Sequence, residues 1–376
     1  MKYVKLLLKL LMISCQSKSA KRPAVTEMEV QILWTDSVSI RALEVKQLDE
    51  ERFYLYYGGS GGQAGRLTID QDQLIKRESF RITPPDSLAV DQLAFRALAL
   101  GRQQTSSPGG EQDIGEPISL ITIGNPAILY RANTEELQFQ TVYEEVHPTV
   151  FYDALAFWDT QEGIAMGDPT ENCLSVLITR NGGKVWEKLP CDRLPAVQPD
   201  EAAFAASNSN IALGNDAVWL LSGGGASRVY YSADRGRSWS VYETPLQQGK
   251  STQGGYAMAM FDKQQGMIVG GDYTQPEDNR GNVAVTLNGG RSWALVSEGS
   301  GPGYKSDIAF FPDRDGNELI VAGFTGISYS ADFGSSWKEL SKEGFYTVQL
   351  INDSVGFAAG KNRIAKLKFK RKSSLD

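Results

Sequence analysis

Apolar and small residues fall in short runs along the whole chain, and most runs are separated by glycine-rich breaks. The runs are about five to eight residues long, which is typical of β-strands and too short for most helices. They recur in a fixed order: a strand of small and apolar residues, a second apolar strand, a glycine-led loop and a third strand. The pattern therefore predicts an all-β chain that is built from a repeated unit.

An octad of fixed spelling closes the third strand in several units. It reads Ser or Thr, any residue, Asp or Asn, any residue, Gly, any two residues and Trp, and it occurs at 179–186, 232–239, 286–293 and 330–337. The Asp or Asn can accept hydrogen bonds from backbone N–H groups two residues on, and the Gly supplies the positive φ of a tight turn. The Trp can bury a large apolar area against the strand pair. We interpret the octad as a hairpin turn that builds the fold and carries no catalysis.

Seven units can be counted, and we expect a small-residue inner strand in each, at 39–45, 94–100, 152–158, 201–207, 256–262, 306–312 and 346–352. The Trp-bearing segment supplies a fourth strand. Seven antiparallel units of four strands predict a seven-bladed β-propeller over residues 28–369. The seventh unit ends after three strands, whereas VQILWTD (30–36) belongs to no unit. We expect this N-terminal strand to complete the last blade and close the ring without a free edge.

The first fifteen residues, MKYVKLLLKLLMISC, combine a cationic start with a short apolar run. The run is too short to span a bilayer and fits the apolar part of a signal peptide. Ser14–Cys15 resembles a bacterial lipoprotein processing site, at which Cys15 carries the lipid; the alternative is an ordinary cleaved signal. Residues 16–27 are predicted to be a polar tether and residues 370–376 a polar tail. We therefore expect an exported protein of the cell envelope, anchored by lipid and facing the periplasm or the cell surface.

Charge, cysteine and histidine content narrow the chemistry. The net charge of −7 argues against a nucleic-acid partner. Cys173 and Cys191 flank the hairpin of the first octad, so either a disulfide in an oxidising compartment or two neighbouring free thiols is compatible with the sequence. His147 is the only histidine and has no metal-ligand spacing around it. We therefore predict no metal site, no cofactor and no Ser-His-Asp catalytic triad.

The first positions of the inner strands define a candidate binding site, which we call the collar. One side chain from each unit would line the channel mouth, at the end opposite the octads: Arg41, Arg96, Asp153, Glu201, Tyr256, Ser306 and Tyr346. One interpretation is a set of salt bridges within the channel. The other is a recognition site in which the arginines bind a carboxylate or phosphate and the acids bind an amine or hydroxyls. Aromatic residues that could supply stacking surface near the rim are Phe151, Tyr152, Trp158, Tyr273, Phe324 and Phe345, and we expect some of these six to be core residues instead.

The octads resemble the Asp-box repeats of bacterial neuraminidases, and the longer pattern resembles the photosystem II stability/assembly factor-like propellers. The second resemblance is carried by SIRALEV (39–45), FYDALAFWDTQEGIAMGDP (151–169), DEAAFAAS (200–207) and GGDYTQP (270–276), together with SADRGRSW. It implies a propeller that binds or assembles other molecules. The first resemblance implies an alternative, a sialidase-like glycoside hydrolase that would use Arg41, Arg96, Tyr256 and Glu201, with Arg228 as the nearest third arginine.

The sequence therefore predicts a non-enzymatic, membrane-tethered binding or assembly propeller. We expect it to act as a monomer and to present the charged channel mouth to a protein or a small polar ligand.

Overall fold

The computed structural model describes residues 23–86, 88–102, 115–312 and 314–371. The predicted signal peptide with Cys15, residues 16–22 of the tether and residues 372–376 of the tail lie outside the described residues. The first strand begins at Val25 and the last one ends at Arg371, so the folded part extends beyond 28–369 at both ends. Within the described part of the chain, no helix is long and apolar enough to cross a membrane.

The regular secondary structure of the described chain is almost entirely β-strand. The first nine strands are β1 (Val25–Gln47), β2 (Arg52–Gly59), β3 (Ala64–Asp70), β4 (Gln73–Ser79), β5 (Arg81–Ile82), β6 (Phe95–Leu100), β7 (Pro117–Thr122), β8 (Ala127–Asn133) and β9 (Gln138–Glu145). The next ten are β10 (Tyr152–Phe157), β11 (Gly163–Gly167), β12 (Ser175–Thr179), β13 (Glu187–Lys188), β14 (Glu201–Ala202), β15 (Ile211–Leu213), β16 (Val218–Leu221), β17 (Gly223–Gly224), β18 (Arg228–Ser232) and β19 (Ser240–Glu243).

The remaining strands are β20 (Gln253–Met260), β21 (Gly266–Asp272), β22 (Val283–Thr286), β23 (Ala294–Leu295), β24 (Asp307–Phe310), β25 (Leu319–Gly323), β26 (Gly326–Ser330), β27 (Lys338–Ser341), β28 (Thr347–Leu350) and β29 (Val355–Arg371). Two short 3₁₀ helices cover Val90–Gln92 and Cys191–Arg193.

The all-β propeller architecture is confirmed, but the count of seven separate four-stranded sheets is wrong. The described strands form six hydrogen-bonded sheets, in the orders β28-β29-β1-β2-β3-β4, β5-β9-β8-β7-β6, β10-β11-β12-β13, β15-β16-β18-β19, β14-β17-β20-β21-β22-β23 and β24-β25-β26-β27. The count falls because β1 is 23 residues long. Its first part pairs with β29 from Val25 to Ser39, and its second part pairs with β2 from Ile40 to Gln47. One continuous strand thus joins the first and last predicted units in a single sheet, and the N-terminal strand pairs with the C-terminal one as expected.

A second correction concerns 201–207, which is not an inner strand. Only Glu201 and Ala202 are extended, as β14, and they pair with Gly224 and Gly223 of β17. The inner strand of that unit is β15. Residues 203–209, which we call the plug segment, instead pack against the inner strands of other sheets. Alternating small residues suit any crowded position, so the sequence pattern did not separate a strand from a segment that fills the channel.

The core lies between neighbouring sheets. In one apolar cluster, Ile121 and Leu129 of the β6–β9 sheet pack with Leu155 and Leu177 of the β10–β13 sheet. The octad tryptophan Trp186 belongs to the same cluster and is 4% exposed. The octad therefore seals the contact between adjacent sheets, as expected of a fold-building motif.

The octad turn has the predicted geometry with one difference in register. In the second octad, Gly236 has a φ of +81°, and the indole Nε1 of Trp239 donates to the Gly236 carbonyl at 3.2 Å. The Asp234 Oδ1 accepts the N–H groups of Arg237 at 3.0 Å and Ser238 at 2.9 Å, three and four residues on instead of two. Burial opposes ionisation, but hydrogen bonds from Ser238, Ser232 and these N–H groups outweigh it and lower the pKa of Asp234 to about 2.

Of the two alternatives for Cys173 and Cys191, a disulfide or two free thiols, the structure contains the disulfide. Cys173 and Cys191 are joined with an S–S distance of 2.01 Å and a Cα–Cα distance of 5.4 Å. The bond ties the end of β13 and the 3₁₀ helix that follows it to the segment before β12.

Replacing Asp234 with Asn tests the octad turn. Asn retains the Oδ1 acceptor, and in the third octad Asn288 Nδ2 donates to Ser292 Oγ at 2.8 Å, so the variant should fold. Because the folded-state pKa of Asp234 lies below the ordinary value of about 3.9, its stabilisation is present above that pH and lost as the pH falls toward 2. In urea unfolding near neutral pH, the wild type should have a higher free energy of unfolding than Asp234→Asn. This difference should shrink as the pH falls. A difference in the free energy of unfolding that stays constant down to a pH of about 2 would contradict this account of the turn.

Candidate functional site

The structure gathers six of the seven collar residues at one mouth of the channel. Arg41, Arg96 and Asp153 lie near the starts of inner strands, and their charges interact. The guanidinium of Arg41 lies 4.0 Å from the ring centroid of Tyr346. The Ser306 hydroxyl donates to the Tyr346 carbonyl at 3.1 Å. Glu201 is the exception.

The two collar arginines bind backbone carbonyls of the plug segment. Arg41 Nη1 donates to the Ala206 oxygen at 3.2 Å, and Arg96 Nη1 lies 3.5 Å from the Ala205 oxygen. Burial and the neighbouring charge of Arg41 lower the pKa of Arg96, although a guanidinium stays protonated in water. Both side chains are half-buried. Salt bridges within the collar are therefore not how these two charges are satisfied.

Asp153 is fully buried at an irregularity in the pairing of β10 with β11. Burial raises the pKa of Asp153 well above its ordinary value, the charge of Asp168 adds to the effect, and Arg96 opposes it. A carboxyl in this position is a structural group of the channel wall and has no surface to offer a ligand.

Glu201 lies away from the collar in a buried ion pair. Its Oε2 is 2.5 Å from Arg228 Nη2, and its Oε1 accepts the hydroxyls of Ser222 at 2.5 Å and Tyr230 at 2.9 Å. Glu201 and Arg228 are 4% and 5% exposed. Its assignment to the collar is therefore wrong, and it followed from treating 201–207 as an inner strand.

The same geometry separates the residues that a sialidase-like site would need. The Tyr256 hydroxyl donates to the Thr252 carbonyl at 2.9 Å, whereas the Glu201 carboxylate binds Arg228, Ser222 and Tyr230. The structure thus pairs Glu201 with Arg228, the proposed third arginine, and Tyr256 takes no part in this pair.

The plug segment links inner strands across the channel. Asn208 Nδ2 donates to the carbonyls of Leu98 at 2.9 Å and Leu155 at 3.1 Å, and its Oδ1 accepts the Leu155 N–H at 2.8 Å. The Ser207 hydroxyl donates to the Ser306 carbonyl at 2.6 Å, and the Met258 N–H donates to the Ser209 carbonyl at 2.7 Å. The collar therefore has a floor, which the sequence did not predict.

Aromatic side chains cover one side of this floor. Phe204 of the plug stacks on Tyr256 at a centroid distance of 4.0 Å, and Tyr256 contacts Tyr304 edge-on at 4.8 Å. Phe324 lies 5.1 Å from Tyr304, and Tyr273 lies 6.5 Å from it. Burial raises the pKa of Tyr304, and the charge of Arg41 opposes that shift, which places the aromatic cluster beside the arginines.

Of the predicted rim aromatics, Tyr273 and Phe324 are 46% and 44% exposed, whereas Tyr152, Trp158 and Phe345 are core residues. Phe151 is half-buried. We use the name collar patch for Arg41, Arg96, Tyr273, Phe324 and Tyr346. Tyr304 contributes to it from beneath, and no sequence pattern had singled it out.

Among the described residues, no metal site accompanies the collar patch. The described residues contain no group of three or more His, Cys, Asp or Glu side chains that could hold an ion. His147 is half-buried, and its Nδ1 lies 3.1 Å from the Thr149 hydroxyl.

Replacing Glu201 tests its structural role. Glu201→Ala leaves the buried Arg228 guanidinium without its carboxylate, and breaking a buried pair in this way costs about 3–5 kcal/mol. Urea unfolding should report that loss. The control is Glu343→Ala, which removes an exposed carboxylate paired with Arg363 at 2.8 Å and should cost less than about 1 kcal/mol. Equal stabilities for the two variants would contradict the assignment.

Comparison with known proteins supports the fold at low sequence identity. No protein family model and no curated protein matches the chain. A structure of YCF48 bound to D1 peptide is 15% identical, covers 93% of this chain and 100% of its own, and has a TM-score of 0.56. YCF48 from Cyanidioschyzon merolae is 14% identical with coverages of 92% and 98% and a TM-score of 0.56. The WD40 repeats of RRP9 are 11% identical with coverages of 93% and 99% and a TM-score of 0.58. The chain thus shares the β-propeller fold of these proteins, which is the fold that its resemblance to the photosystem II assembly factor-like propellers implies.

Proposed function

We propose that this chain is a non-enzymatic protein-binding propeller that presents the collar patch to its partner. The observation that carries the proposal is the pairing of two exposed aromatics, Tyr273 and Phe324, with two half-buried arginines over a closed floor. Aromatic residues and arginine are enriched at protein interfaces and dominate their hot spots.

The contacts within the collar indicate what kind of group a partner would bring. Arg41 and Arg96 each donate to a peptide carbonyl of the plug through one nitrogen. A guanidinium has five N–H donors, so donors remain for carbonyl or carboxylate oxygens of a partner. Apolar side chains of the same partner would cover Tyr273 and Phe324. A protein segment with this chemistry fits the patch, and a propeller of similar fold is known in complex with a D1 peptide.

The placement of the acids supports binding over hydrolysis. A glycoside hydrolase of the sialidase type needs carboxyl groups that reach the substrate. Here Asp153 is buried in the channel wall and Glu201 is held by Arg228. Neither carboxyl group is exposed at the collar patch.

The proposal includes export and a lipid tether at Cys15. A disulfide between Cys173 and Cys191 is compatible with an oxidising compartment. The carbonyl of Thr26 accepts a hydrogen bond from Lys338, which directly follows the last octad tryptophan, so β1 begins at the octad end of the propeller. A tether of residues 16–22 reaches about 25 Å at most. It would hold the octad end toward the membrane and leave the collar patch accessible.

The partner can be tested by site-specific photo-crosslinking in the native cell envelope. A photo-reactive amino acid at Phe324 should capture a discrete protein, because this side chain belongs to the collar patch. The same residue at Leu287, which is 71% exposed on an octad, serves as the control and should not capture it. Arg41→Ala should weaken the capture from position 324 by about tenfold or more, the effect of removing one charge-assisted contact.

Two results would overturn the proposal. One is capture of the same protein with equal yield from positions 324 and 287. The other is turnover of a fluorogenic sialoside by the purified propeller that is lost in Arg41→Ala.

A further inference from the structure

The channel has a second mouth at the octad end, and this mouth forms an open cavity. Its volume is about 500 Å³, within the range of about 300–1,000 Å³ that is common for small-molecule sites. It is lined by the last residues of the inner strands, among them Glu44, Phe157, Phe310 and Leu350, and by Arg102. We call it the octad vestibule. Asn208 bridges Leu98 and Leu155 just inside it, so the plug segment separates the vestibule from the collar.

We propose that the octad vestibule binds a small zwitterion with an apolar side chain, of which an apolar α-amino acid is the simplest. The site is distinct from the collar patch, and the proposal does not depend on the function proposed above.

The charges of the vestibule are one acid and one base in direct contact. Arg102 Nη2 lies 2.8 Å from Glu44 Oε2 and also donates to the Val45 carbonyl at 3.0 Å. The Glu44 side chain is 18% exposed and that of Arg102 is 56% exposed. Burial raises the pKa of Glu44, and Arg102 opposes that shift. The acid is thus poorly hydrated, and an exposed base on the rim is its only ionic partner among the described lining residues.

The other polar side chain of the lining, that of Gln349, already forms hydrogen bonds within the protein. Gln349 Nε2 donates to the Leu43 carbonyl at 2.7 Å, and its Oε1 accepts the Val45 N–H at 2.9 Å. Recognition of a polar ligand therefore depends on Glu44 and Arg102.

This charge pair selects the head group of the ligand. A ligand ammonium can bind Glu44 while a ligand carboxylate binds Arg102, and both protein charges keep a partner. A ligand with only a negative charge would take Arg102 and leave Glu44 uncompensated in a poorly hydrated position. A ligand with only a positive charge would bind Glu44 but forgo the charge-assisted contact of a carboxylate with Arg102. An apolar body is favoured by Phe157, Phe310, Leu350 and Ile351, which are half-buried around the cavity.

A larger side chain also has room. A neighbouring groove of about 870 Å³ shares Phe157 and Trp158 with the vestibule and continues past Met260 and Phe261. The side chain of an aromatic amino acid could extend into this groove. The vestibule would therefore select the charged groups of the ligand and accept ligand side chains of different size.

The experiment measures binding of L-leucine and L-phenylalanine to the folded protein by isothermal titration calorimetry or ligand-observed NMR. Leucinamide, which carries only the positive charge, and N-acetyl-leucine, which carries only the negative charge, are the matched ligands. We expect saturable binding of both amino acids with a dissociation constant of about 1 mM or tighter, and at least tenfold weaker binding of each single-charge analogue.

Two substitutions assign the binding to the vestibule. Glu44→Gln and Arg102→Gln should each weaken leucine binding by about tenfold or more. Glu116→Gln and Arg180→Gln remove comparable charges outside the cavity, from the pairs with Lys46 and Glu162, and should leave the affinity unchanged. If Glu44→Gln does not fold, Arg102→Gln at its exposed position carries the test.

The proposal is overturned if neither amino acid shows saturable binding at millimolar concentration. It is also overturned if the amino acids and their single-charge analogues bind alike, or if Arg102→Gln binds leucine as well as Arg180→Gln does. A loss of binding in Arg41→Ala together with retention in Arg102→Gln would move the site to the collar and contradict the proposal as well.

Discussion

The structure depends on satisfying the inner edges of its sheets. Most sheets end on an inner strand, such as β6, β10, β24 or β28, whose second edge faces the channel without a partner strand. A buried N–H or C=O group left without a hydrogen bond costs about 1–3 kcal/mol. Polar side chains meet this need by bridging neighbouring inner strands. Asn208 binds Leu98 and Leu155, Gln349 binds Leu43 and Val45, and Asp307 accepts the Val348 N–H at 2.7 Å.

These bridges also determine the chemistry of the two mouths. Because Asn208 fixes the plug segment, the carbonyls of Ala205 and Ala206 lie under the two collar arginines, and Phe204 stacks on Tyr256. The collar patch is thus a shallow surface over a floor, which suits a protein segment. On the other side of the same floor, the vestibule is an open cavity, for which we propose a small-molecule ligand. One buried segment therefore divides a single channel into two mouths, for which we propose different partners.

The sequence predicted the features that depend on local chemistry. The octad turns follow from spacing within eight residues. The hairpin between Cys173 and Cys191 made a disulfide one of two alternatives, and the structure contains it. The closure of the ring by the N-terminal strand followed from counting strands. Six of the seven collar positions were also reached from the small-residue pattern alone. The membrane anchor at Cys15 remains a proposal.

The errors concern features that depend on long-range packing. A strand of 23 residues merges two predicted units, and no local signal marks where its pairing changes from β29 to β2. The segment 201–207 has the composition of an inner strand but fills the channel, which moved Glu201 into a pair with Arg228. Tyr152 and Phe345 looked like rim aromatics, yet they are buried because the sheets pack over them. In each case the partner that decides the outcome is distant in sequence.

Hydrogen exchange of the inner-strand amides tests the central claim most directly. The Leu155 N–H, which Asn208 holds at 2.8 Å, should be protected in the wild type. In Asn208→Ala it should exchange about tenfold faster or more, whereas the Val45 N–H, which Gln349 holds, should keep its rate. A Leu155 amide that exchanges at the same rate in both proteins would contradict the account, because the plug segment would then not satisfy the inner edges of the sheets.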